Sequence, residues 1–137
     1  MEEDESDMLL IQSLYYLSEE SVLSRLENGS HIHEPEYFIE IVYGFGAEKI
    51  ISFLKEKKII TPKILTEILN ERIRDILDID NDIRLTVQKI EFYKRLIRDG
   101  AIISGKFKEQ FEATKRGIQE RIERYTLHVS LMDFLLK

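Results

Sequence analysis

Side chains that could bind a metal ion are concentrated in one short segment of the chain, His31-Ile32-His33-Glu34-Pro35-Glu36. In an extended segment alternate side chains lie on one side, so the two imidazoles and a carboxylate could form a site. The same residues also suit a polar loop before a helix, with a carboxylate near the helix N-terminus. We therefore predict no metal and no cofactor. A metal-dependent helical enzyme using His31, His33 and Glu36 is kept as an alternative.

Other residue patterns typical of catalysis are missing from the sequence. The chain has no cysteine, which excludes disulfides, thiolate zinc sites and cysteine nucleophiles. Gly44-Phe45-Gly46 lacks the Lys-Ser/Thr pair of a phosphate-binding loop, and Ile103-Ser104-Gly105-Lys106 lacks the first spaced glycine. No order of Ser, His and Asp suggests a catalytic triad. We predict that the protein is not an enzyme and has no catalytic residue.

Basic residues cluster in the second half of the chain. Residues 1–50 carry 12 acidic and 2 basic side chains, whereas residues 51–137 carry 14 acidic and 18 basic ones. A basic face could contact nucleic acid, and the candidate contacts are Lys94, Arg95, Arg98, Lys106, Lys108, Lys115 and Arg116. Acidic residues lie among them, and Glu112 and Arg116 are one helical turn apart, which is typical of a solvated helix face. A small nucleic-acid-associated module is therefore the alternative function.

The elements that carry these residues are predicted to be helices. Residues 1–7 are predicted to be a disordered acidic tail, because they contain no apolar anchor, and residues 8–137 to be a single helical domain. Three or four short helices come first. One is expected to stop at Asn28-Gly29, and the next to start at Pro35 and to break at Gly44-Phe45-Gly46.

A long helix is predicted over residues 62–99, between Thr61 and Gly100. The segment has no internal proline or glycine, and one apolar seam recurs in it every seven positions: Leu69, Ile76, Ile83, Ile90 and Ile97. Such a helix would be about 57 Å long, much more than the radius of gyration of roughly 14 Å expected for a compact globule of this length. A kink or an antiparallel turn at Asp80-Asn81-Asp82 is the alternative.

A second long helix is predicted over residues 106–136. Its apolar stripe recurs at a mean spacing of about 3.6 residues, the period of an α-helix: Phe107, Phe111, Thr114, Ile118, Ile122, Tyr125, Val129, Met132 and Leu136. Beyond Tyr125 four more apolar residues widen this surface: Leu127, Leu131, Phe134 and Leu135. A helix that is apolar on most sides must be buried, either by its own domain or by another chain.

We predict an all-α fold, an elongated helical bundle of two long helices and three or four shorter N-terminal helices. The predicted function is protein–protein assembly, with other protein subunits as partners in a homo- or hetero-oligomer. The predicted partner interface comprises Leu69, Ile76, Ile83, Ile90, Ile97, Leu131, Phe134 and Leu135. No apolar run approaches 18 residues, so we expect no membrane span. The acidic N-terminus differs from a secretory signal, and a cytoplasmic or nuclear location is expected.

Part of the chain resembles the helical domain of GINS complex subunits, namely the SLD-type subunit and its archaeal counterparts. The resemblance rests on Glu71-Arg72-Ile73-Arg74, Arg84-Leu85 and Lys89-Ile90-Glu91-Phe92-Tyr93, followed by a further long helix from Lys106. It covers roughly residues 65–130. It implies a non-enzymatic scaffold subunit of the replicative helicase assembly, in which helices pack against sister subunits and no residue is catalytic.

Overall fold

The part of the chain that the structure describes is helical. The structure is a computed structural model that describes residues 2–77 and 87–137, with the backbone alone for residues 2–6, 74 and 75. These ranges contain α1 (Glu2–Tyr16), α2 (Glu19–Glu27), α3 (Pro35–Phe45), α4 (Glu48–Glu56), α5 (Pro62–Glu71), α6 (Ile73–Leu77), α7 (Val87–Arg98) and α8 (Gly105–Leu136). The predicted all-α class is confirmed, as is the prediction of three or four short helices before residue 62.

The short N-terminal helices begin and end at residues with the expected capping chemistry. The hydroxyl of Ser18 accepts a hydrogen bond from the Ser21 N–H at 3.1 Å and caps the start of α2. α3 begins at Pro35, whose fixed φ suits the first helical turn. It ends at Gly46, which adopts a left-handed conformation with φ of 69°. Gly44 lies within α3, so Gly46 alone terminates this helix.

α3 is the central helix of the core. It packs against α1, α4, α5 and α7, and its side chains Phe38, Ile39, Val42 and Tyr43 are fully buried. The other helices contribute a further set of large side chains to the same core: Leu10, Val22, Ile50, Ile51, Leu54, Leu65, Ile68, Leu69, Phe92 and Leu96. Each such side chain contributes about 1.5–3 kcal/mol relative to exposure. The core therefore joins helices α1 to α5 and α7 into one body.

The predicted helix over residues 62–99 does not form as one rod. α5 ends at Glu71, α6 begins at Ile73, and α5 packs against α7. The two predicted ends are neighbours, because a Cβ built on Gly100 would come within 3.2 Å of the Cβ of Pro62. A straight helix would hold these two residues about 57 Å apart.

Burial explains why α5 and α7 lie side by side. Leu65 on α5 and Leu96 on α7 both have essentially no exposed surface, and both reach the same core only if the two helices are adjacent. The antiparallel alternative from the sequence is thus nearer to the observed arrangement. The triplet at residues 80–82, where the sequence places that alternative turn, lies outside the described residues.

The N-terminal acidic segment differs from the predicted tail. α1 begins at Glu2, and Asp7 is buried. The two carboxylate oxygens of Asp7 accept hydrogen bonds from the backbone N–H groups of His33 at 2.9 Å and Glu34 at 2.7 Å. The N-cap residue of α3, Glu34, makes no side-chain capping bond of its own. Asp7 therefore supplies a carboxylate next to the start of α3, where the helix dipole favours negative charge.

α8 is the one long helix among the described residues, and its 32 residues confirm the prediction for 106–136. Of the helices described, it packs against α6. Its half-buried positions, apart from Gly117, belong to the predicted stripe and end at Ile118. Residues 119–137 are all exposed. We call residues 119–137 the C-terminal arm. No helix in the described ranges has both the length and the apolar character needed to cross a bilayer.

Candidate interaction surfaces

A buried carboxylate fixes the chain just before α8. Asp99, whose side chain is 4% exposed, accepts hydrogen bonds from Tyr43 Oη at 2.6 Å, Lys55 Nζ at 2.8 Å and Arg98 Nη2 at 2.8 Å. Burial favours a raised pKa for Asp99, but the hydrogen bonds from Arg98, Lys55 and Tyr43 outweigh it and hold the pKa well below its ordinary value. The end of α7 is thereby joined to α3 and α4.

The linker between α7 and α8 is held by further contacts. Gly100 has φ of 113°, a conformation that side chains other than that of glycine rarely adopt. Two residues later, the backbone N–H of Ile102 donates a hydrogen bond to Thr66 Oγ1 at 3.0 Å. The linker is therefore anchored to α5 before α8 begins.

The C-terminal arm exposes a large apolar surface. Nine large apolar side chains of the arm are exposed: Ile122, Tyr125, Leu127, Val129, Leu131, Met132, Phe134, Leu135 and Leu136. Phe134 is 73% exposed and Leu136 is 85% exposed. Most helical stability in proteins comes from packing an apolar face rather than from intrinsic helix propensity. Contiguous exposed apolar surface is typical of protein or membrane interaction sites.

Helical geometry gives the arm four sides, since each residue advances the side-chain direction by about 100°. The front stripe begins at the half-buried Ile118, just before the arm, and continues with Ile122, Tyr125, Val129, Met132 and Leu136. The back stripe is Leu127, Leu131 and Phe134, on the opposite side of the helix. The polar stripe is Gln119, Glu123, Thr126, Ser130, Asp133 and Lys137, and it runs along one side between them. The remaining side carries Arg121, Arg124, His128 and Leu135. A helix with two opposite apolar stripes needs cover from two directions.

The structure does not bring the predicted interface residues together as one surface. Leu69 is 2% exposed in the core, so it cannot contact a partner in this fold, and Ile76 is half-buried. Ile90 and Ile97 are exposed on α7, and Ile83 lies outside the described residues. The arm carries the other three, all exposed: Leu131, Phe134 and Leu135. The arm is therefore the part of the predicted interface with the most accessible apolar surface.

Two of the candidate nucleic-acid contacts interact with the protein itself. Arg98 Nη1 donates a hydrogen bond to Glu48 Oε1 at 2.9 Å, and Arg95 Nη1 donates to the carbonyl oxygen of Tyr43 at 3.0 Å. Both arginines thereby join α7 to neighbouring elements of the body. The other five are exposed, one on α7 and four on α8: Lys94, Lys106, Lys108, Lys115 and Arg116.

An aromatic groove, which the sequence did not predict, lies where α1, α3 and α7 meet. Its volume is about 690 Å³, and its aromatic lining is Tyr15, Tyr37, Phe45, Phe92 and Tyr93. The rings of Tyr15 and Phe45 meet edge to face, with centroids 4.7 Å apart. The signal in the sequence was the bulky run Tyr15-Tyr16-Leu17 at the end of a helix. Locating the groove, however, requires knowing which helices are neighbours.

The histidine segment has the local geometry of a helix start. The rings of His31 and His33 lie against each other with centroids 4.6 Å apart. The neighbouring backbone N–H groups donate to Asp7, as described above. In residues 2–77 and 87–137, no group of three or more His, Asp or Glu side chains is placed to hold a metal ion.

Comparison of the chain with protein-family models, with curated proteins and with solved structures found no match.

Proposed function

We propose that this protein is a non-enzymatic subunit of a protein assembly and that its C-terminal arm is the partner-binding element. The observation that carries the proposal is the exposure of all residues from 119 to 137, nine of them large and apolar. The arm belongs to a helix that begins on an anchored linker, so a partner meets a helix whose base is already positioned.

The energetics of the arm support association. Fully burying one large apolar side chain contributes about 1.5–3 kcal/mol, and the arm offers nine of them. Association costs about 4–15 kcal/mol in lost translational and rotational freedom, with further costs for ordering side chains. Burying all nine side chains would contribute about 14–27 kcal/mol, more than most of this range, whereas two or three would contribute only about 3–9 kcal/mol, which lies within the range of the cost. The partners are therefore expected to cover both apolar stripes of the arm and to leave the polar stripe in water.

The resemblance to GINS helical domains supports a narrower form of this proposal, a scaffold subunit of a replicative helicase assembly. The segment Lys89-Ile90-Glu91-Phe92-Tyr93 lies on α7 and contributes to the aromatic groove. The arm follows on the next helix. Both surfaces are available to sister subunits in such an assembly.

The proposal is tested with two variants, each of which adds one negative charge to the arm at one of two neighbouring positions. Leu131→Asp places the charge on the back stripe, and Ser130→Asp places it on the polar stripe as a matched control. Each tagged protein is purified from the cells in which it occurs, and the co-purifying subunits are quantified by mass spectrometry. We expect Leu131→Asp to lower their recovery at least tenfold, because a buried unpaired carboxylate costs more than the 1.4 kcal/mol that a tenfold change requires.

Ser130→Asp should leave that recovery unchanged. Equal recovery of the same subunits with both variants would contradict the proposal. Circular dichroism of the two variants checks that the helical body is intact in each.

The alternative function, nucleic-acid association, has one supporting observation. The exposed bases of α8 include Lys106, Lys108, Lys115 and Arg116. The intervening acids Glu109 and Glu112 are exposed as well, which lowers the local positive potential. A salt titration of DNA or RNA binding distinguishes the two functions, because phosphate contacts weaken steeply as the salt concentration rises.

A further inference from the structure

We infer that the front stripe of the arm pairs with the front stripe of a second copy of this chain in antiparallel orientation. The inference rests on the proposed function, since it names one of the partners of the same arm. It concerns the front stripe alone and leaves the back stripe for the other subunits of the assembly.

The front stripe is self-complementary when its direction is reversed. Its residues are separated by four, three, four, three and four positions, and this order is the same in both directions. Reversal about position 127 places Ile118 opposite Leu136, Ile122 opposite Met132, and Tyr125 opposite Val129, each combination occurring twice. Two chains would therefore form six apolar layers, of which the two outermost include the half-buried Ile118. Alternating steps of three and four are the spacing of paired helices.

The charges of the arm also permit pairing with a copy of itself. Between residues 118 and 137 the acids are Glu120, Glu123 and Asp133, and the bases are Arg121, Arg124 and Lys137, which balance. On one flank of the antiparallel pair, Gln119 would face Asp133, and Thr126 would face its own copy. On the other flank, Arg121 would face Leu135, and His128 would face its own copy. Like charges are not placed opposite each other in this register.

The rest of the chain favours the antiparallel over the parallel orientation. Because the segment 118–137 is neutral, the net charge of −6 belongs to residues 1–117. A parallel pair would place two such acidic bodies at the same end, where they repel. It would also bring the bodies together at Ile118, although paired helices are only about 8–10 Å apart. An antiparallel pair separates the two bodies by the length of the arms.

The orientation is tested by disulfide cross-linking. The chain contains no cysteine, so single-cysteine variants have no background. Ile122→Cys and Met132→Cys are prepared separately, mixed and oxidised mildly. We expect a cross-linked dimer in the mixture and little in either variant alone. In the antiparallel register residue 132 meets residue 122 of the other copy, and its own copy lies about 15 Å further along the helix, too far for a disulfide.

A matched pair on the polar stripe serves as the control. In a mixture of Glu123→Cys and Ser130→Cys, the two cysteines lie at a similar level along the helix pair but face outward. We therefore expect no cross-link in this mixture. Light scattering of the wild-type chain should give an even multiple of its 16.3 kDa mass. Val129→Asp, on the front stripe, should give the single-chain mass, while Ser130→Asp should keep the wild-type value.

The outcomes separate this inference from the proposed function. Efficient cross-linking of Met132→Cys with itself would show a parallel pair and overturn the inference. A wild-type chain of 16.3 kDa with no cross-link in the mixture would overturn it as well. If Leu131→Asp still loses co-purifying subunits in that case, the arm binds other proteins only, and the proposed function stands. If Leu131→Asp loses none, both proposals fail.

Discussion

The helical body and the C-terminal arm contain similar apolar residues but treat them in opposite ways. In the body, Leu54, Leu65 and Leu96 have essentially no exposed surface. In the arm, Leu127, Leu131 and Leu135 are all more than half exposed. Both regions are amphipathic helices with the same local chemistry, and what differs is whether neighbouring helices of the same chain cover them. The comparison shows that an apolar stripe specifies the need for cover but not the molecule that supplies it.

The largest expected difference in stability between the two regions comes from truncating one leucine in each of them. Leu54→Ala should lower the free energy of unfolding by about 2–5 kcal/mol, because it leaves a cavity in a packed core. Leu131→Ala should change it by less than about 0.5 kcal/mol in dilute protein, since an exposed side chain loses little. Urea unfolding followed by circular dichroism measures both. Similar losses in the two variants would mean that the arm packs against its own body in solution.

A smaller loss of stability is expected when the carboxylate of Asp99, which fixes the end of α7, is replaced. Asp99→Asn should lower the free energy of unfolding at pH 7 by about 2 kcal/mol, because hydrogen bonds to a charged group are worth about 1.5–3 kcal/mol. Glu91→Gln on the same helix is the control. Its carboxylate lies 3.7 Å from Lys94 and is half exposed, so its removal should cost less than about 1 kcal/mol.

The pH dependence of the Asp99→Asn effect tests its electrostatic origin. The pKa of Asp99 is lowered on folding, so the stabilisation is present above the ordinary value of 3.8 and is lost as the pH falls below it. The difference between the wild type and Asp99→Asn should therefore be constant near neutral pH and should narrow below pH 3.8. A difference that does not change with pH would assign the effect to packing alone.

The smallest expected difference concerns the helix caps of the two regions. Thr61 accepts a hydrogen bond from the Ile64 N–H at 3.3 Å and caps α5 in the body. Ser104 precedes α8 and makes no side-chain capping bond. Thr61→Ala should cost about 1 kcal/mol, and Ser104→Ala should stay within about 0.5 kcal/mol. Chemical denaturation resolves the two, and an equal cost would show that Ser104 caps α8 in solution.

Local features of the sequence were sufficient to place several helix ends. Ser18, Pro35 and Thr61-Pro62 mark starts that the structure contains, because capping and proline geometry depend on neighbouring residues. The stripe beginning at Phe107 predicted α8 almost to the residue. It also predicted that the last part of this helix carries more apolar surface than one face can hide.

Contacts between distant residues were beyond this kind of reasoning. The sevenfold seam from Leu69 to Ile97 fits one long helix, and it fits two helices that share a core equally well, because periodicity carries no information on the partner. The acidic neighbours of Asp7 predict a tail. In the structure, however, its carboxylate accepts hydrogen bonds from the backbone N–H groups of His33 and Glu34, which are 26 and 27 positions further along the chain. The aromatic groove likewise forms from three helices that are far apart in sequence.

Because α8 is long and packs against a short helix, a small rotation at this contact moves its far end by a larger distance. A helix of 32 residues is about 48 Å long, and α6, with which it is in contact, has five residues. A tilt of only about 5° at that contact would displace the far end by about 4 Å, roughly three quarters of the rise of one helical turn. A small change in the packing between α6 and α8 would therefore move the end of the arm by several ångströms without any change inside the core.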